Sequence, residues 1–211
     1  MISQNQRELL ITQTAKNAVF DGWADRSFRE AAVSVSLDPA FALEAYPTPA
    51  SRVIAHSQLA DALLTRWVEE GGLSTSQGVR GCLHALTMRR FLAHNDVKIA
   101  VQKGIGHITT PWRAVESSKS AWATVDTMWR LTTQHLEGDP DKQGFDYVSK
   151  RALLGAVYGP SMLVWFNDHS PDLSRTDNYV RGRLDNVVGI FGKFGRGRQA
   201  VSDFLSKLKP S

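Results

Sequence analysis

The sequence predicts an all-α protein, and three observations support that prediction. Apolar residues recur at three- and four-residue steps along nearly all of the 211 residues, and no stretch shows the alternation of a strand. Residues typical of helix N-termini precede several of these stretches, and glycine or proline separates them. An apolar content of 42% is ordinary for a globular domain, so we expect about nine helices around a shared core.

Three helices are predicted before residue 47. The first covers residues 4–20, has Leu10, Thr14 and Ala18 on one face, and ends before a glycine. Ser27 is followed three residues later by a glutamate, a capping box that we expect to open the second helix. An Asp-Pro pair at Asp38 predicts the start of the third, because Asp caps helices and Pro fits the first helical position.

Longer helices are predicted in the middle of the chain. We expect helices over residues 50–69 and 74–94, the second opened by a capping box at Ser74. A short helical segment from Asp96 follows, and then a long helix over residues 110–136.

The helix predicted over residues 145–167 is the most apolar of the chain. Its centre, residues 152–166, is interrupted only by glycine, proline and serine, and a helix that is apolar on all sides must be buried. We expect a bend at Gly159 and Pro160, because proline removes a backbone donor. A ninth helix over residues 172–194 follows, and we expect the rest of the chain to pack around the central helix.

The sequence does not predict an enzyme, a cofactor or a metal site. Its six histidines lack the spacing of metal ligands, so we interpret them as structural or solvated. The single Cys82 excludes an internal disulfide and a cysteine-built zinc site. No phosphate-binding loop, nucleophile elbow or dinucleotide fingerprint occurs where its structural context requires it.

The net charge of +4 comes from the C-terminal tail, since charges over residues 1–185 cancel. We expect this tail to form an amphipathic helix, with an apolar stripe flanked by cations that contact an anionic membrane surface. Docking on the protein's own body or on a dimer mate is the alternative. The predicted membrane contacts are Arg198, Val201, Phe204, Leu205, Lys207, Leu208 and Lys209.

The spacing of the first three helices resembles the helix-turn-helix of tetracycline-repressor-type regulators. Such a resemblance implies a ligand-controlled DNA-binding dimer, but the charges argue against it. Between Arg29 and Arg52 there is no Lys or Arg, and the candidate recognition helix reads DPAFALEAY. Base edges and phosphates are contacted mainly by basic and amide side chains, so we expect no specific nucleic acid. A ligand-responsive regulator remains the alternative function.

Two motifs resemble one family. FDGWADRSFREAAVSVSLDPAFALEAYP and DYVSKRALLGAVY…NDHSPDLSRTDNYVRGRL are similar to the N- and C-terminal motifs of the lipid-binding family of coenzyme Q (ubiquinone) biosynthesis, the ninth-numbered protein of that pathway. The resemblance implies a repressor-like fold without DNA binding, a homodimer, and an isoprenoid lipid in a hydrophobic cavity. It also implies membrane docking through the last helix and presentation of a quinone precursor to the pathway hydroxylase.

Two sets of site residues follow. We expect an apolar cavity along the central helix, although the same residues would also suit a core or a dimer interface. Its predicted lining is Leu153, Leu154, Val157, Tyr158, Met162, Leu163, Trp165 and Phe166. The C-terminal signature implies a partner-binding face formed by Asp168, Asp172, Tyr179 and Arg183, unless Arg183 and Asp172 pair within the fold. Eukaryotic members carry a tryptophan where this chain has Asp177.

The chain is expected to have three parts. These are a degenerate helix-turn-helix region over residues 1–49, a helical lipid-binding and dimerisation body over 50–195, and a basic amphipathic tail over 196–211. Neither a signal peptide nor an Arg-rich transit peptide is recognisable. We therefore expect a bacterial protein, cytoplasmic and peripheral to the inner face of the cytoplasmic membrane.

Overall fold

The computed structural model describes residues 2–74, 77–108, 114–137 and 145–186, and the regular secondary structure in those ranges is helical throughout. The prediction of an all-α bundle is confirmed. In chain order the helices are α1 (Gln4–Asp21), α2 (Asp25–Ser34), α3 (Pro39–Ala45), α4 (Pro49–Glu69), α5 (Val79–Ala93), a 3-10 turn (Asn95–Val97), α6 (Lys98–Ile108), α7 (Ala114–His135), α8 (Phe145–Phe166) and α9 (residues 174–186).

The first helix has the ends and the buried face that the sequence predicts. Ser3 caps α1 through a capping box, in which its hydroxyl oxygen accepts from the Gln6 N–H at 3.2 Å. The helix ends at Gly22, whose positive φ of 72° suits glycine. The face that contains Leu10, Thr14 and Ala18 is buried. Local sequence signals therefore determine this helix correctly at both ends.

One of the predicted caps is confirmed and another is wrong. Asp38 caps α3, and its Oδ1 accepts from the Ala40 N–H at 2.7 Å. Ser27, by contrast, lies inside α2, which begins two residues earlier. Its buried hydroxyl donates to the carbonyl of Gly22 at 2.8 Å. Ser27 therefore stabilises the turn between α1 and α2 and does not cap a helix.

The predicted start of the fifth helix at Ser74 is also wrong. Ser74 and Gln77 close a turn, in which the Gln77 N–H donates to the Ser74 carbonyl at 3.1 Å. The helix itself begins at Val79, after Gly78. The capping-box pattern at Ser74 lies four residues before the observed N-cap, Gly78, and forms a separate turn.

Arg52 of α4 holds the N-terminal helices together. Its side chain is 0% exposed. Its Nε donates to the carbonyl of Tyr46 at 3.1 Å, and its Nη1 donates to the carbonyl of Trp23 at 3.0 Å. Its Nη2 lies 2.7 Å from a carboxylate oxygen of Asp25, and its guanidinium stacks 4.4 Å from the centroid of Phe28. The buried cation therefore connects α4 to α2 and to the turns on either side of α2 and α3.

Burial of Arg52 leaves residues 30–65 without a cation at the surface. Arg52 is the only Lys or Arg between residues 30 and 65, and it is inaccessible. DNA phosphates need exposed basic side chains. The geometry is in keeping with our expectation of no specific nucleic acid, which stays a prediction.

The largest apolar cluster is formed by α4, α5, α7, α8 and α9. Phe91 of α5 stacks between two aromatic side chains of α8, with centroid distances of 5.5 Å to Tyr158 and 5.1 Å to Trp165. Leu173, Val180 and Leu184 pack on the same cluster from the segment that leads into α9 and from α9 itself. The central helix thus contributes to the core as expected, but only with one side.

The prediction that α8 is buried on all sides is wrong. Val148 is 52% exposed and Leu163 is 60% exposed. Ala152, Ala156 and Pro160 are exposed between them and lie on the same face. The helix continues through Pro160, where the carbonyl that lacks its backbone donor can meet water. The apolar content of the sequence does not reveal which face of α8 is left uncovered by the other described helices. No helix in the described ranges is long and apolar enough to cross a bilayer.

Close packing of α6 depends on Gly104. The indole N–H of Trp23 donates to the carbonyl of Ala100 at 2.7 Å, one turn before this glycine. A Cβ at Gly104 would lie 2.9 Å from Nε1 of Trp23 and 3.1 Å from a methyl carbon of Val53. Both neighbours are buried side chains, so neither can move aside freely.

We expect Gly104→Ala to destabilise the fold, by about 1–3 kcal/mol, because the added methyl group overpacks this contact. Gly106→Ala in the same helix is the matched control, since nothing lies within 4 Å of its position. That control should leave stability unchanged or raise it by up to about 1 kcal/mol. Urea unfolding followed by tryptophan fluorescence measures both; equal effects would contradict the close approach of α6.

Candidate functional site

A cavity of about 140 Å³ lies between α4, α5, α6, α7 and α8. Its wall is mainly apolar and aromatic, with Trp23, Phe91 and Trp165 among the lining residues. An apolar void of about 150 Å³ is known to hold a benzene ring, whereas pockets for whole drug-sized ligands exceed about 300 Å³. The cavity therefore has room for a ring-sized group, and a long chain attached to such a group has to leave it.

The cavity reaches the surface along α7. Ala121 lines it and is also exposed to solvent, so this residue lies at the rim. Ala123, two residues further along α7, is exposed as well but does not line the cavity. One face of α7 thus borders the opening.

One side of the cavity is polar and is organised by Arg90 of α5. The Arg90 Nε donates to the Tyr158 hydroxyl at 3.0 Å. Its Nη2 donates to the Ser57 hydroxyl at 2.9 Å and to the Thr124 hydroxyl at 3.2 Å. The same nitrogen lies 3.3 Å from Oδ1 of Asp61. This side chain therefore connects α5 to α4, α7 and α8 beside the cavity.

Asp61 supplies the counter-charge for Arg90. Burial raises the pKa of Asp61, while Arg90 and a hydrogen bond from Thr124 at 3.0 Å oppose that rise. Oδ1 of Asp61 is close to Arg90 but is not aligned for a hydrogen bond with any described residue. The pair thus balances the positive charge without using all of its hydrogen-bonding capacity.

Two buried histidines complete the polar side. The rings of His56 and His94 lie 4.9 Å apart and nearly perpendicular, and Trp23 lies 5.4 Å from His56. Burial lowers the pKa of His56 to about 3, with further lowering by His94 and Arg90. Burial also lowers the pKa of His94. Both rings are therefore neutral near neutral pH.

In the part of the chain that the structure describes, no three His, Cys, Asp or Glu side chains are grouped as metal ligands.

The predicted lipid-binding residues do not lie together. Tyr158, Met162 and Trp165 line the cavity. The other five are elsewhere on α8: Leu154, Val157 and Phe166 are in the apolar core, Leu153 is half-buried away from the cavity wall, and Leu163 is exposed. Five helices enclose the cavity, so a prediction made from one helix alone included core and surface positions.

The polar residues of the cavity were not predicted as a site. His56 and Arg90 both occur on the apolar stripes of their helices, where a polar side chain must find partners inside the protein. That position was the available signal. The two residues are far apart along the chain, so the sequence did not show that both line one cavity.

Asp168 has a structural position. It is 1% exposed, and its carboxylate accepts hydrogen bonds from the backbone and hydroxyl groups of Ser170 and Thr176. Burial acts to raise its pKa, but these hydrogen bonds lower the pKa well below its ordinary range. Lys98 also donates to the Asp168 carbonyl at 2.7 Å. The carboxylate fastens the start of α9 and has no face left for a partner protein.

The remaining residues of the predicted partner face are more accessible. Asp172 and Arg183 are exposed, and Tyr179 is half-buried with the Arg183 guanidinium 5.0 Å from its ring centroid. Within the described residues, Arg183 and Asp172 form no ion pair, and Asp172 accepts from the Ser174 N–H at 3.1 Å. Oδ1 of Asp177 lies 2.8 Å from Nε2 of His84, which is a contact between α9 and α5. The predicted membrane contacts, from Arg198 onwards, lie outside the described residues.

The lowered pKa of His56 gives the stability of the protein a pH dependence. The unfolded chain binds a proton near the ordinary value of 6.5, whereas the folded chain binds it only near 3, so acid favours unfolding in between. When the pH falls from about 7 to about 5, the free energy of unfolding of the wild type should drop by about 2 kcal/mol more than that of His56→Phe. Urea unfolding at both pH values measures this difference. His107→Phe, at an exposed position, should behave like the wild type; the same acid sensitivity in all three proteins would show that His56 is not buried and neutral.

Comparison with known proteins finds similarity to one family. The family model COQ9 matches residues 114–190. The chain is 35% identical over 107 residues to "Probable ubiquinone biosynthesis protein coq9, mitochondrial" of Dictyostelium discoideum, which covers 48% of this chain and 33% of that protein. It is 23% identical over 176 residues to "Ubiquinone biosynthesis protein COQ9, mitochondrial" of Homo sapiens, with 80% and 53% covered. For the Xenopus tropicalis protein of the same name, the values are 24% over 194 residues, with 88% and 59% covered.

These relatives correct one expectation. They are named as mitochondrial proteins, which contradicts a bacterial protein at the inner face of the cytoplasmic membrane. That expectation depended on how the printed sequence begins, which does not determine where a protein resides. The matches span about a third to three fifths of the length of these curated relatives. The resemblance to the coenzyme Q biosynthesis family that the motifs predict is confirmed by the match of residues 114–190 to the COQ9 family model and by the names of these relatives.

Proposed function

We propose that this protein is a lipid-binding accessory factor of ubiquinone biosynthesis. It binds an isoprenoid quinone precursor with the ring in the cavity between α4 and α8, and presents that precursor to a pathway hydroxylase at a membrane surface. The observation that carries the proposal is the mainly apolar, ring-sized cavity with one polar side. The names of the relatives, which are ubiquinone biosynthesis proteins, support the pathway.

The chemistry of the wall suits an aromatic headgroup. Burial of apolar surface contributes about 25 cal/mol per Å² removed from water, so a ring enclosed by Phe91, Trp165 and Val53 is stabilised without any charge. Aromatic side chains add favourable ring contacts. The isoprenoid tail passes the rim at Ala121, where the cavity opens to the surface.

The apolar surface that α8 leaves exposed supports a homodimer. Val148, Ala152, Ala156 and Leu163 lie on one face of the helix and are covered by no other described element. A continuous apolar face on a soluble surface is unfavourable unless something binds it. A second copy of the chain would bury this face.

A ligand-responsive transcription regulator is less well supported. The cavity would suit such a protein equally well, but the surface of residues 30–65 exposes no Lys or Arg. A regulator of this type needs basic side chains on that surface to hold DNA. We therefore favour the lipid-binding function.

The cavity itself is tested by blocking its rim. Ala121→Trp should fill the opening and weaken binding of a ubiquinone with a short isoprenoid tail by about tenfold or more, since that costs only about 1.4 kcal/mol. Ala123→Trp is the matched control, because it adds the same side chain to an exposed position of α7 that does not line the cavity. Equilibrium binding and native mass spectrometry of copurified lipid are the measurements. Equal binding by both variants would move the lipid site elsewhere.

Presentation to the hydroxylase is tested on α9. Tyr179→Ala should weaken capture of the purified pathway hydroxylase by about tenfold, as truncation of an aromatic anchor does, and change stability by less than about 0.5 kcal/mol. Asn178→Ala, at the exposed neighbouring position, should leave capture unchanged. Surface-immobilised protein with the hydroxylase in solution gives the affinities. Undiminished capture by Tyr179→Ala would remove this residue from the partner face.

A further inference from the structure

We infer that the polar side of the cavity binds the free hydroxyl group of a phenol-type ring, with His94 as the acceptor of its hydrogen and Tyr158 as a donor to a ring oxygen. The site would then distinguish a hydroxylated aromatic ring from the same ring with its oxygen methylated or missing. This inference rests on the proposed function, because it specifies which precursors the cavity prefers.

The hydrogen-bonding role of His94 follows from its backbone contact. Nδ1 lies 2.9 Å from the carbonyl oxygen of Arg90, which can only accept. Nδ1 must therefore carry the hydrogen. In a neutral imidazole the other nitrogen then has a lone pair and no hydrogen, so it can only accept. His94 lines the cavity, and its second nitrogen makes no hydrogen bond to a described residue. The cavity thus contains an unused acceptor.

Tyr158 offers the complementary group. Its hydroxyl oxygen accepts the hydrogen bond from the Arg90 Nε, so the orientation of Arg90 leaves the hydroxyl hydrogen free to donate. Among the described residues, none accepts that hydrogen. The ring is held in place by stacking on Phe91 at 5.5 Å, which fixes the direction in which the hydroxyl can donate. A donor and an acceptor that line the same cavity suit a ligand oxygen that carries its own hydrogen.

His56 provides a second, independent sign of a missing ligand. Its side chain lines the cavity and is 8% exposed, yet neither ring nitrogen makes a hydrogen bond within the described ranges. Unpaired ring nitrogens of a histidine that lines a cavity can form a hydrogen bond with a ligand or with water. The ring lies 4.9 Å from that of His94 and lines the same cavity. The side chains of His56, His94 and Tyr158 thus line one space.

The charges favour a neutral ligand over a carboxylate. The positive charge of Arg90 is balanced by Asp61 at 3.3 Å. The two histidines are neutral because burial lowers the pKa of each. Arg90 lines the cavity and Asp61 does not, but Asp61 already balances the charge of Arg90, so an added carboxylate would bring a second negative charge for one cation. A phenol brings one donor and one acceptor and no charge, which is what His94 and Tyr158 can satisfy.

The test compares three probes that share one farnesyl tail: farnesylphenol, its methyl ether, and farnesylbenzene. The full-length protein should bind the phenol about tenfold more tightly than either other probe, the effect of one or two buried hydrogen bonds. Tyr158→Phe and His94→Phe should each reduce this preference several-fold while changing the affinity for farnesylbenzene much less. Tyr147→Phe is the control, since its hydroxyl donates to Asp126 at 2.9 Å, outside the cavity, and it should keep the full preference.

The outcomes separate this inference from the proposed function. If all three probes bind equally well, or if the variants weaken all three equally, the protein holds a lipid but does not recognise its hydroxyl group, and the inference is wrong. If none of the three binds, the cavity is not a lipid site and both proposals fail. Tighter binding of farnesoic acid than of the phenol would assign the polar side to an anion and would likewise overturn the inference.

Discussion

A guanidinium buried among four helices has to be compensated where it lies, and this requirement determines how α4, α5, α7 and α8 meet. The Arg90 side chain contacts Ser57 and Asp61 of α4, Thr124 of α7 and Tyr158 of α8. A buried charge that loses its partners is strongly destabilising, so these four helices cannot slide past one another independently. The cavity lies beside this network. Side chains that are held in place by the Arg90 hydrogen bonds cannot turn to fill the neighbouring space.

The same constraint recurs at the N-terminal end with a different result. Arg52 is buried more deeply than Arg90, with 0% against 8% of its side chain exposed, and it donates to the backbone carbonyls of Tyr46 and Trp23. Because this charge lies inside the protein, residues 30–65 expose no Lys or Arg. The surface of those residues therefore lacks the basic side chains that DNA phosphates need.

How far the sequence could predict this protein depended on the range of the interactions involved. The ends of α1 and the cap at Asp38 are decided by neighbours in the chain, and local patterns found them. Ser27 and Ser74 both begin a capping-box pattern, yet neither caps a helix. Ser27 donates to the carbonyl of Gly22, and Ser74 closes a turn with Gln77. The resemblance that the motifs predict agrees with the COQ9 family model and with the names of the relatives. His94 and Tyr158 come to line one cavity only after five helices have packed, so no periodicity within one helix could bring them together. The exposed face of α8 likewise depends on which described helices pack against it.

The small size of the cavity has a consequence for specificity. Under the proposed function, a space of about 140 Å³ has room for the ring but not for the chain attached to it, so it cannot act as a molecular ruler for that chain. The part of the ligand beyond the rim at Ala121 would run along the outside of the protein or into its surroundings. Ubiquinones from different organisms differ in the number of isoprene units, and a protein built in this way would need no remodelling to serve a longer or a shorter one.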